Sequence, residues 1–396
     1  MRTISEGGHL STANQRTYPA MATRGCLATY GGVSAWRSVM DLFSDVLSTR
    51  PGQYVFFNIA DIGGGERPED FLEFCDPESD YSNSGYTGVF KITGTPRFDP
   101  RSLEATTGDD NAKLEEQYAL RVPIEPFGVF PGVLQEWRIL DTVDLQTELW
   151  QPRFRKFLNS AKSLTAMTPF EATRLMEILD ENLPHWRKAS DYDWTRYPDT
   201  GKMLSMTNIQ GQGGDGRDLS GPSDGLDSIE LSDIPVRKGR KFRHEKGLEA
   251  WWVENFDLGI DEFERLTYDT DIMWFSNYIP ATSSGQELDG LALGKKPNGK
   301  YRAFPIEMKK GSVNQSNKGE VDQLYRYSVW AKMFLSEKVD TDVEDVRPTF
   351  LANEMGDTAR RVAESRLHSE PYFTNPCLIK YQLTEGGDVQ LEWVDI

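Results

Sequence analysis

The sequence contains few of the residues that build disulfide frameworks, zinc clusters or nucleophile triads. Its three cysteines, Cys26, Cys75 and Cys377, are far apart in a chain of 396 residues. Their odd number and scatter argue against a disulfide framework or a zinc cluster, so we expect a reducing, cytoplasmic location and small, buried thiols. The four histidines include no metal-spaced pair, so other side chains must carry any chemistry.

Long hydrophobic runs are also missing. No run of about eighteen apolar residues occurs, so we expect no membrane span. Residues 1–9 lack the apolar core of a secretory signal. The chain is nevertheless 38% hydrophobic, with ten Trp and twenty Phe. That content is sufficient for the cores of about two or three domains.

Positive charge is scarce for a protein that would bind nucleic acid. The chain has 44 Lys and Arg against 62 Asp and Glu, a formal net charge of −18, whereas phosphate binding normally requires a basic surface. Two interpretations stay open: a halophilic cytoplasm in which acidic surfaces are general, or a protein that does not bind nucleic acid. The basic cluster at residues 237–243 favours the first.

The stretch from Gly285 to Lys310 carries the strongest chemical signal. Asp289 stands at the head of a short apolar strand, and a returning strand carries Glu307 and Lys309. Side chains alternate along a strand, so Glu307 and Lys309 share one face, and a hairpin would bring Asp289 beside them. Two carboxylates suit a hard cation such as Mg²⁺, which can activate water and stabilise charge on a phosphate. A solvated surface pair is the alternative.

Helices are predicted on either side of this hairpin. Residues 244–255 place apolar side chains on one stripe and include Glu245, and residues 321–328 include Gln323 and Tyr327. A helix with Glu, a strand with Asp, a strand with Glu-Met-Lys and a helix with Gln-Leu-Tyr-Arg-Tyr occur in this order. The set resembles the PD-(D/E)XK nuclease superfamily, and in detail the C-terminal domain of archaeal NucS-like endonucleases.

This resemblance covers roughly residues 240–385 and implies a mixed sheet flanked by helices in a metal-dependent endonuclease. It implies that Asp289 and Glu307 bind Mg²⁺ or Mn²⁺ and that Lys309 positions or polarises the attacking water and the phosphate. Glu245 would complete the acidic set through a metal-bound water. The glutamine and tyrosine of the second helix would orient the lysine or contact the DNA backbone, or else form an ordinary polar helix face.

The N-terminal half predicts a smaller arrangement of strands and helices. Residues 36–47 have the spacing of an amphipathic helix, and strands are predicted at residues 54–59, 86–93 and 118–124. Thr168-Pro169-Phe170-Glu171 has a Thr cap, a proline in the first turn and a Glu at the third position. This pattern predicts the start of a helix.

That order, with a turn at residues 159–163 before the closing helix, resembles the EVE and YTH domains of the PUA superfamily over roughly residues 11–186. Residues 1–10 show no clear counterpart of the usual first strand. The resemblance implies a small β-barrel with helices, spanning residues 1–186, that encloses a modified base in an aromatic cage. The cage candidates are Trp36, Phe57, Tyr86 and Trp137, with Asn14 or Asn58 as polar reader. Each aromatic could instead be ordinary core.

The segment between these two halves differs in composition. Residues 187–236 are rich in glycine and acidic residues and have little to bury. They predict a flexible linker before a nuclease domain at residues 237–396. Residues 191–197 carry three aromatic side chains and could dock on a domain.

Together these patterns predict an α+β and α/β protein in which an EVE/YTH-like reader is joined to a PD-(D/E)XK catalytic domain. The expected function is modification-dependent DNA cleavage of the restriction type, with DNA carrying a modified base as the partner. We expect a homodimer, because double-strand cleavage usually needs two active sites. A repair endonuclease for mismatched or branched DNA and a non-catalytic reader of modified nucleic acid are the alternatives. The presence of Asp289, Glu307 and Lys309 argues against the non-catalytic reader.

Overall fold

The computed structural model describes residues 7–14, 17–29, 36–59, 85–99, 119–128, 133–140, 148–150, 164–182, 194–198, 200–206, 236–256, 261–281, 286–313, 318–337 and 343–394. They form a mixed α+β protein with three sheets. The chain divides into two compact units, one mainly from Met1–Leu204 and one mainly from Glu230–Ile396. Every helix that the structure describes is too short or too polar to cross a membrane.

The sheet of the first unit is open among the described strands. Its strands are β1 Gly8–Ala13, β2 Cys26–Thr29, β3 Tyr54–Ile59, β4 Gly85–Ile92, β5 Arg97–Phe98, β6 Leu120–Gly128, β7 Leu134–Gln135, β8 Leu164–Met167 and β9 Lys202–Met203. They follow the order β8-β1-β3-β4-β6-β5-β9, with β2 also paired to β6 and β7 to β4. Since β8 and β9 do not pair with each other, the predicted barrel does not close within the described residues.

The strand β1 lies where residues 1–10 gave no sequence sign of a strand. It runs parallel to β3 on one side and antiparallel to β8 on the other. A Cβ at Gly8 would lie 3.1 Å from the Phe56 ring and 3.2 Å from the Ala172 methyl group. Glycine therefore allows close packing at the point where β1 enters the sheet.

The described helices of this unit confirm two local predictions. They are α1 Thr17–Arg24, α2 Trp36–Leu47, α3 Glu136–Leu140 and α4 Pro169–Asn182. The bounds of α2 are those predicted. At the start of α4, Glu171 N donates to Thr168 Oγ1 at 3.2 Å, and Thr168 N donates to Glu171 Oε2 at 3.0 Å. This reciprocal pair is a capping box, and it fixes the first turn of the closing helix.

Replacing Thr168 by Ala should destabilise the first unit. The change removes the acceptor for Glu171 N and a donor to the buried Glu171 carboxylate. Loss of such a cap costs about 0.5–2 kcal/mol, and we expect the upper part of that range in chemical denaturation. Thr173→Ala is the control, because that hydroxyl bonds the Pro169 carbonyl inside the helix. Equal losses in the two variants would contradict a capping role.

Part of the predicted linker belongs to the first unit. Lys202–Met203 forms β9 and pairs antiparallel with β5. Tyr197 is buried, and its hydroxyl donates to Asp99 Oδ2 at 2.9 Å, the same oxygen that pairs with Arg121 at 3.1 Å. The unit therefore extends beyond the predicted boundary at residue 186, and this stretch is not a free linker.

The second unit is built on a mixed sheet. Its strands are β10 Arg237–Lys238, β11 Lys241–Phe242, β12 Asp271–Ala281, β13 Gln286–Lys295, β14 Tyr301–Val313, β15 Val343–Val346, β16 Thr349–Met355, β17 Cys377–Leu383 and β18 Val389–Val394. The main sheet has the order β12-β13-β14-β16-β17-β18, with β15 on β14, and β10 pairs only with β11 among the described strands. The described helices are α5 Glu245–Asn255, α6 Asp261–Thr267, α7 Lys318–Ser336 and α8 Asp357–Leu367.

The predicted hairpin between β13 and β14 is present. The two strands are antiparallel, with Gly290 opposite Ile306. Gly299 has a φ of +82° in the turn, a conformation that glycine adopts without strain. β14 is buried continuously from Arg302 to Met308, and it pairs parallel with β16 on its other edge. β14 is therefore an interior strand of the sheet, with Glu307 near the end of its buried run and Lys309 just after it.

Candidate metal centre

Three elements bring charged side chains together in the second unit. The helix α5 begins at Glu245, β13 carries Asp289, and β14 carries Glu307 and Lys309. Lys309 Nζ lies 2.8 Å from Glu307 Oε1 and 3.5 Å from both Glu245 Oε1 and Asp289 Oδ2. The structure thus gathers these four sequence-predicted residues around one ammonium group.

The backbone of β14 orients both an acid and the lysine. Asp289 Oδ2 accepts a hydrogen bond from Met308 N at 2.7 Å, and Lys309 Nζ donates to the Met308 carbonyl at 2.8 Å. The Met308 side chain is buried on the opposite face. Because these contacts come from a central strand, the acid and the lysine are held by the sheet itself.

Glu249 is a member of the cluster that the sequence interpretation missed. It lies one helical turn after Glu245, on the same face of α5. One carboxylate oxygen from each of Glu245, Glu249 and Asp289 lies within 4.8 Å of the other two, and the Glu249 side chain is fully buried. The available signal was the four-residue spacing of two glutamates on one predicted helix.

Lys246 balances the buried Glu249 carboxylate. Its Nζ lies 3.0 Å from Glu249 Oε1 and 3.1 Å from the ring centroid of Tyr278 on β12. Tyr278 has a φ of +54°, which is uncommon for a residue other than glycine. The Lys246 ammonium group therefore lies over the face of the Tyr278 ring, which is a favourable cation–π arrangement.

Burial raises the pKa values of the carboxyl groups in this cluster. It raises the pKa of Glu249 to about 8, with Lys246 opposing and Asp289 adding to the rise. Burial also raises the pKa of Asp289. Burial and the negative charge of Asp289 together hold the pKa of Glu307 well above its usual range. Burial alone would lower the pKa of Lys309, but the surrounding carboxylates outweigh it and raise that pKa. The lysine therefore stays protonated.

The residues present fit a hard divalent cation. Four carboxylates surround two ammonium groups, so two negative charges remain when all are ionised. Glu307 Oε2 is buried and has no hydrogen-bond partner among the described residues. Mg²⁺ takes one or two carboxylates and keeps several waters, so such a cation supplies both the missing charge and the missing contact. Asp289 and Glu307 are the predicted ligands.

Gln323 and Tyr327 lie on α7 and bond each other. Gln323 Nε2 lies 2.8 Å from Tyr327 Oη. Burial raises the pKa of Tyr327 to about 12, Gln323 opposes this, and the charge of Glu307 adds to it, so the hydroxyl stays protonated near the acidic cluster. Within the described residues neither side chain hydrogen-bonds Lys309, so the predicted orientation of the lysine by these residues is not seen.

Two of the predicted base-cage residues are packed as core side chains. Phe57 is fully buried, and its ring centroid lies 5.1 Å from that of Tyr18 and 5.2 Å from that of Phe90, both edge-on. Tyr86 is buried in the core that α4 covers. The side chains of Trp36 and Trp137 lie outside the described residues.

The two predicted polar readers differ in their bonding. Asn14 caps α1, because Thr17 N donates to Asn14 Oδ1 at 2.8 Å and Asn14 N donates to Thr17 Oγ1 at 3.0 Å. Asn58 on β3 is buried, and neither atom of its amide group has a hydrogen-bond partner in the described part of the chain. Buried polar groups are nearly always bonded, so Asn58 is the reader candidate that stands out.

No family model and no curated protein matches the chain. A hypothetical protein from Leishmania major matches with a TM-score of 0.29 at 13% identity, over 46% of this chain and 98% of that chain. Human THYN1, solved with DNA containing 5-methylcytosine, matches with a TM-score of 0.27 at 12% identity, over 43% and 96%. A repair endonuclease from Pyrococcus abyssi matches with a TM-score of 0.16 at 16% identity, over 26% and 42%. Similarities this low carry no functional argument.

Proposed function

We propose that this protein is a metal-dependent DNA endonuclease. The observation that carries the proposal is the convergence of Glu245, Asp289, Glu307 and Lys309 on one site, with a buried Glu307 oxygen that lacks a partner among the described residues. Acids that can hold a cation beside a lysine are groups suited to phosphodiester hydrolysis, in which the cation can activate water and stabilise charge on the phosphate. Neither a nucleophile nor a covalent intermediate from the protein is needed.

Each residue of the site has a task in this reaction. A bound Mg²⁺ or Mn²⁺ would activate a water and neutralise charge that develops on the phosphate. Asp289 and Glu307 hold the cation, and the Met308 amide keeps the Asp289 carboxylate in place. Lys309 would position or polarise the attacking water and the phosphate, because its ammonium group lies beside the carboxylates that would hold the cation.

Glu245 marks the open side of the site. Its side chain is 35% exposed, compared with 20% for Lys309, 13% for Asp289 and 1% for Glu307. Substrate would approach past the first turn of α5, where Glu245 would complete the acidic set through a metal-bound water. The three remaining groups are less exposed, and Glu307 is buried.

Substrate choice is assigned to the first unit, with DNA carrying a modified base as the substrate. Asn58 is the observation that supports this assignment, because a buried amide without partners costs about 1–3 kcal/mol. The edge of an extruded base offers the donors and acceptors that such an amide lacks. In this proposal Asn58 reads the base edge in the first unit, and the second unit cuts the strand.

Digestion of plasmids that each carry one defined base modification tests this function. With Mg²⁺ or Mn²⁺ we expect nicked or linear products from one modified plasmid, and none after addition of a chelator. Equal cleavage of modified and unmodified plasmids would overturn the dependence on modification. Failure to cut any substrate with either metal, including mismatched and branched duplexes, would overturn the nuclease assignment.

Replacing Asn58 by Leu should remove the preference for modified DNA. A methyl-sized difference between two bases is worth roughly 10–200-fold in an apolar site, and we expect the ratio of the two Kd values to fall from that range to about one in fluorescence anisotropy without metal. The unfolding midpoint should not decrease, because the substitution removes two polar atoms that have no partner among the described residues. Thr29→Val removes another buried hydroxyl that is unbonded among the described residues. That control should keep the preference.

A further inference from the structure

A basic hairpin stands beside the acidic centre. β10 and β11 pair antiparallel, with Arg237 opposite Phe242 and Lys238 opposite Lys241. Five of the seven residues from Arg237 to Arg243 are Lys or Arg, in a chain whose formal net charge is −18. Such a local concentration of positive charge is the electrostatic footprint of polyanion binding.

The inner side of this hairpin is anchored to the second unit. Phe242 is buried, and its ring centroid lies 5.5 Å from that of Tyr381. A Cβ at Gly247 would lie 3.2 Å from the Phe242 ring, so glycine lets α5 approach the hairpin. The Arg240 carbonyl accepts a hydrogen bond from Leu383 N at 3.0 Å. The hairpin is therefore a fixed part of the unit and can present its side chains in one arrangement.

The outer side of the hairpin faces solvent. Lys238 and Arg240 are exposed. Between them Gly239 forms the tip with a φ of +64°, and no described atom lies within 4 Å of the place where its Cβ would be. The tip of the hairpin is therefore open at Gly239 among the described residues.

The hairpin leads directly into the acidic centre. Arg243 stands two residues before Glu245, the first residue of α5. Lys310, which follows Lys309 on β14, donates from Nζ to the Arg243 carbonyl at 3.1 Å, and its backbone N lies 3.4 Å from Glu245 Oε2. Lys238 is paired with Lys241, four residues before Glu245, so the hairpin keeps its exposed basic tip close to the first turn of α5.

We propose that the Arg237–Arg243 hairpin binds the phosphate backbone of duplex DNA beside the bond that is cut. The inference rests on the proposed nuclease function. An acidic centre repels a phosphate backbone, and a basic strip next to its open side, where Glu245 is exposed, offsets that repulsion. Contacts to phosphates position a duplex without reading its sequence, which suits an enzyme whose base recognition lies in another unit.

Binding of a labelled, unmodified duplex by the full chain in chelator tests the proposal. Log K for DNA binding falls with log salt. Lys238→Gln combined with Arg240→Gln should make this negative slope shallower by about two, and should lower the affinity by roughly tenfold per lost contact at 0.1 M salt. Arg360→Gln combined with Arg361→Gln is the matched control, because both are exposed on α8 and remove the same charge. The control pair should change the affinity less than about twofold.

An unchanged salt slope in the hairpin pair would overturn the proposal, as would an equal loss in the control pair. Equal unfolding midpoints of the two pairs establish that folding is not the cause of a difference. Because the measurement uses neither metal nor cleavage, it separates the two proposals. A chain that binds DNA through the hairpin but cuts no substrate would retain the phosphate-binding role of the hairpin and reject the nuclease. If the variant with the neutralised hairpin binds DNA with full affinity and still cuts it, the proposed role of the hairpin is rejected and the nuclease proposal is retained.

Discussion

Replacing Glu307 by Gln should reduce metal-dependent DNA cleavage by at least about a thousandfold, which corresponds to roughly 4 kcal/mol of transition-state stabilisation. Glu307 is 1% exposed, and one of its carboxylate oxygens has no hydrogen-bond partner among the described residues. The amide keeps the shape of the side chain but supplies no charge and is a weak ligand for a hard cation. Single-turnover rates with Mn²⁺ measure the loss.

Two further variants sharpen this test. Asp289→Asn should lose activity to a similar extent, because the same cation then lacks its other predicted ligand. Glu344→Gln should keep the full rate, since Glu344 pairs with Lys296 and Lys300 at the turn end of the hairpin. A Glu307→Gln enzyme that cuts at the unaltered rate would end the assignment of nuclease chemistry to this centre.

Replacing Lys246 by Met should lower the free energy of unfolding by about 1.4 kcal/mol at pH 9, because the buried Glu249 carboxyl group then loses its partner and must stay protonated one pH unit above its pKa of about 8. The Lys246 ammonium lies 3.0 Å from Glu249 Oε1, and the Glu249 side chain is fully buried. Methionine keeps most of the volume above the Tyr278 ring. Chemical denaturation without metal at about pH 9 is the measurement.

This loss should depend on pH with a definite sign. Burial raises the pKa of Glu249 in the folded protein from 4.5 to about 8, so between these values the folded state holds more protons than the unfolded state. Stability without metal therefore falls as the pH rises from 4.5 to 8. The deficit of the Lys246→Met variant should be small near pH 6 and appear as the pH passes about 8.

A double variant is the control for this prediction. Lys246→Met combined with Glu249→Gln removes both charges and should recover most of the loss at pH 9. A deficit of equal size at pH 6 and pH 9 would assign the effect to packing rather than to charge. Mn²⁺ should stabilise the unaltered protein more strongly at high pH, because carboxylate ligands bind the cation only when deprotonated.

Local sequence signals predicted the helices α2 and α4 and the β13–β14 hairpin. Strands that form because of distant partners were missed. The helix α2 carries its apolar spacing within its own residues, and α4 carries its cap at Thr168 and Glu171. The strand β1, Gly-His-Leu-Ser-Thr-Ala, has little β-branched content and forms because β3 and β8 pair with it on both sides. The strand β9, Lys202–Met203, was missed for the same reason: it forms by pairing with β5, and the residues around it have the composition of a linker.

The residues of the candidate site also fall into two groups, those that a local sequence pattern predicts and those that only the fold brings together. Asp289, Glu307 and Lys309 could be predicted because motif order and strand alternation place them on one surface. Glu249 could not, since a second glutamate on a helix is ordinary until its burial and its oxygen distances are known. The Asn58 amide, which has no hydrogen-bond partner in the described part of the chain, likewise depends on how the rest of the fold packs around it, which no local pattern contains.

Gly290 determines how closely a helix approaches the sheet. A Cβ there would lie 3.0 Å from two atoms of the Trp252 ring on α5 and 3.4 Å from Met308 Cε. The acidic cluster has two carboxylates from that helix and two from the sheet, so the separation of the two layers sets the distances between these carboxylates. Oxygen ligands lie about 2.0–2.1 Å from Mg²⁺ and 2.3–2.6 Å from Ca²⁺. An added methyl group that moved the layers apart by a few tenths of an ångström would shift ion selectivity towards the larger cation.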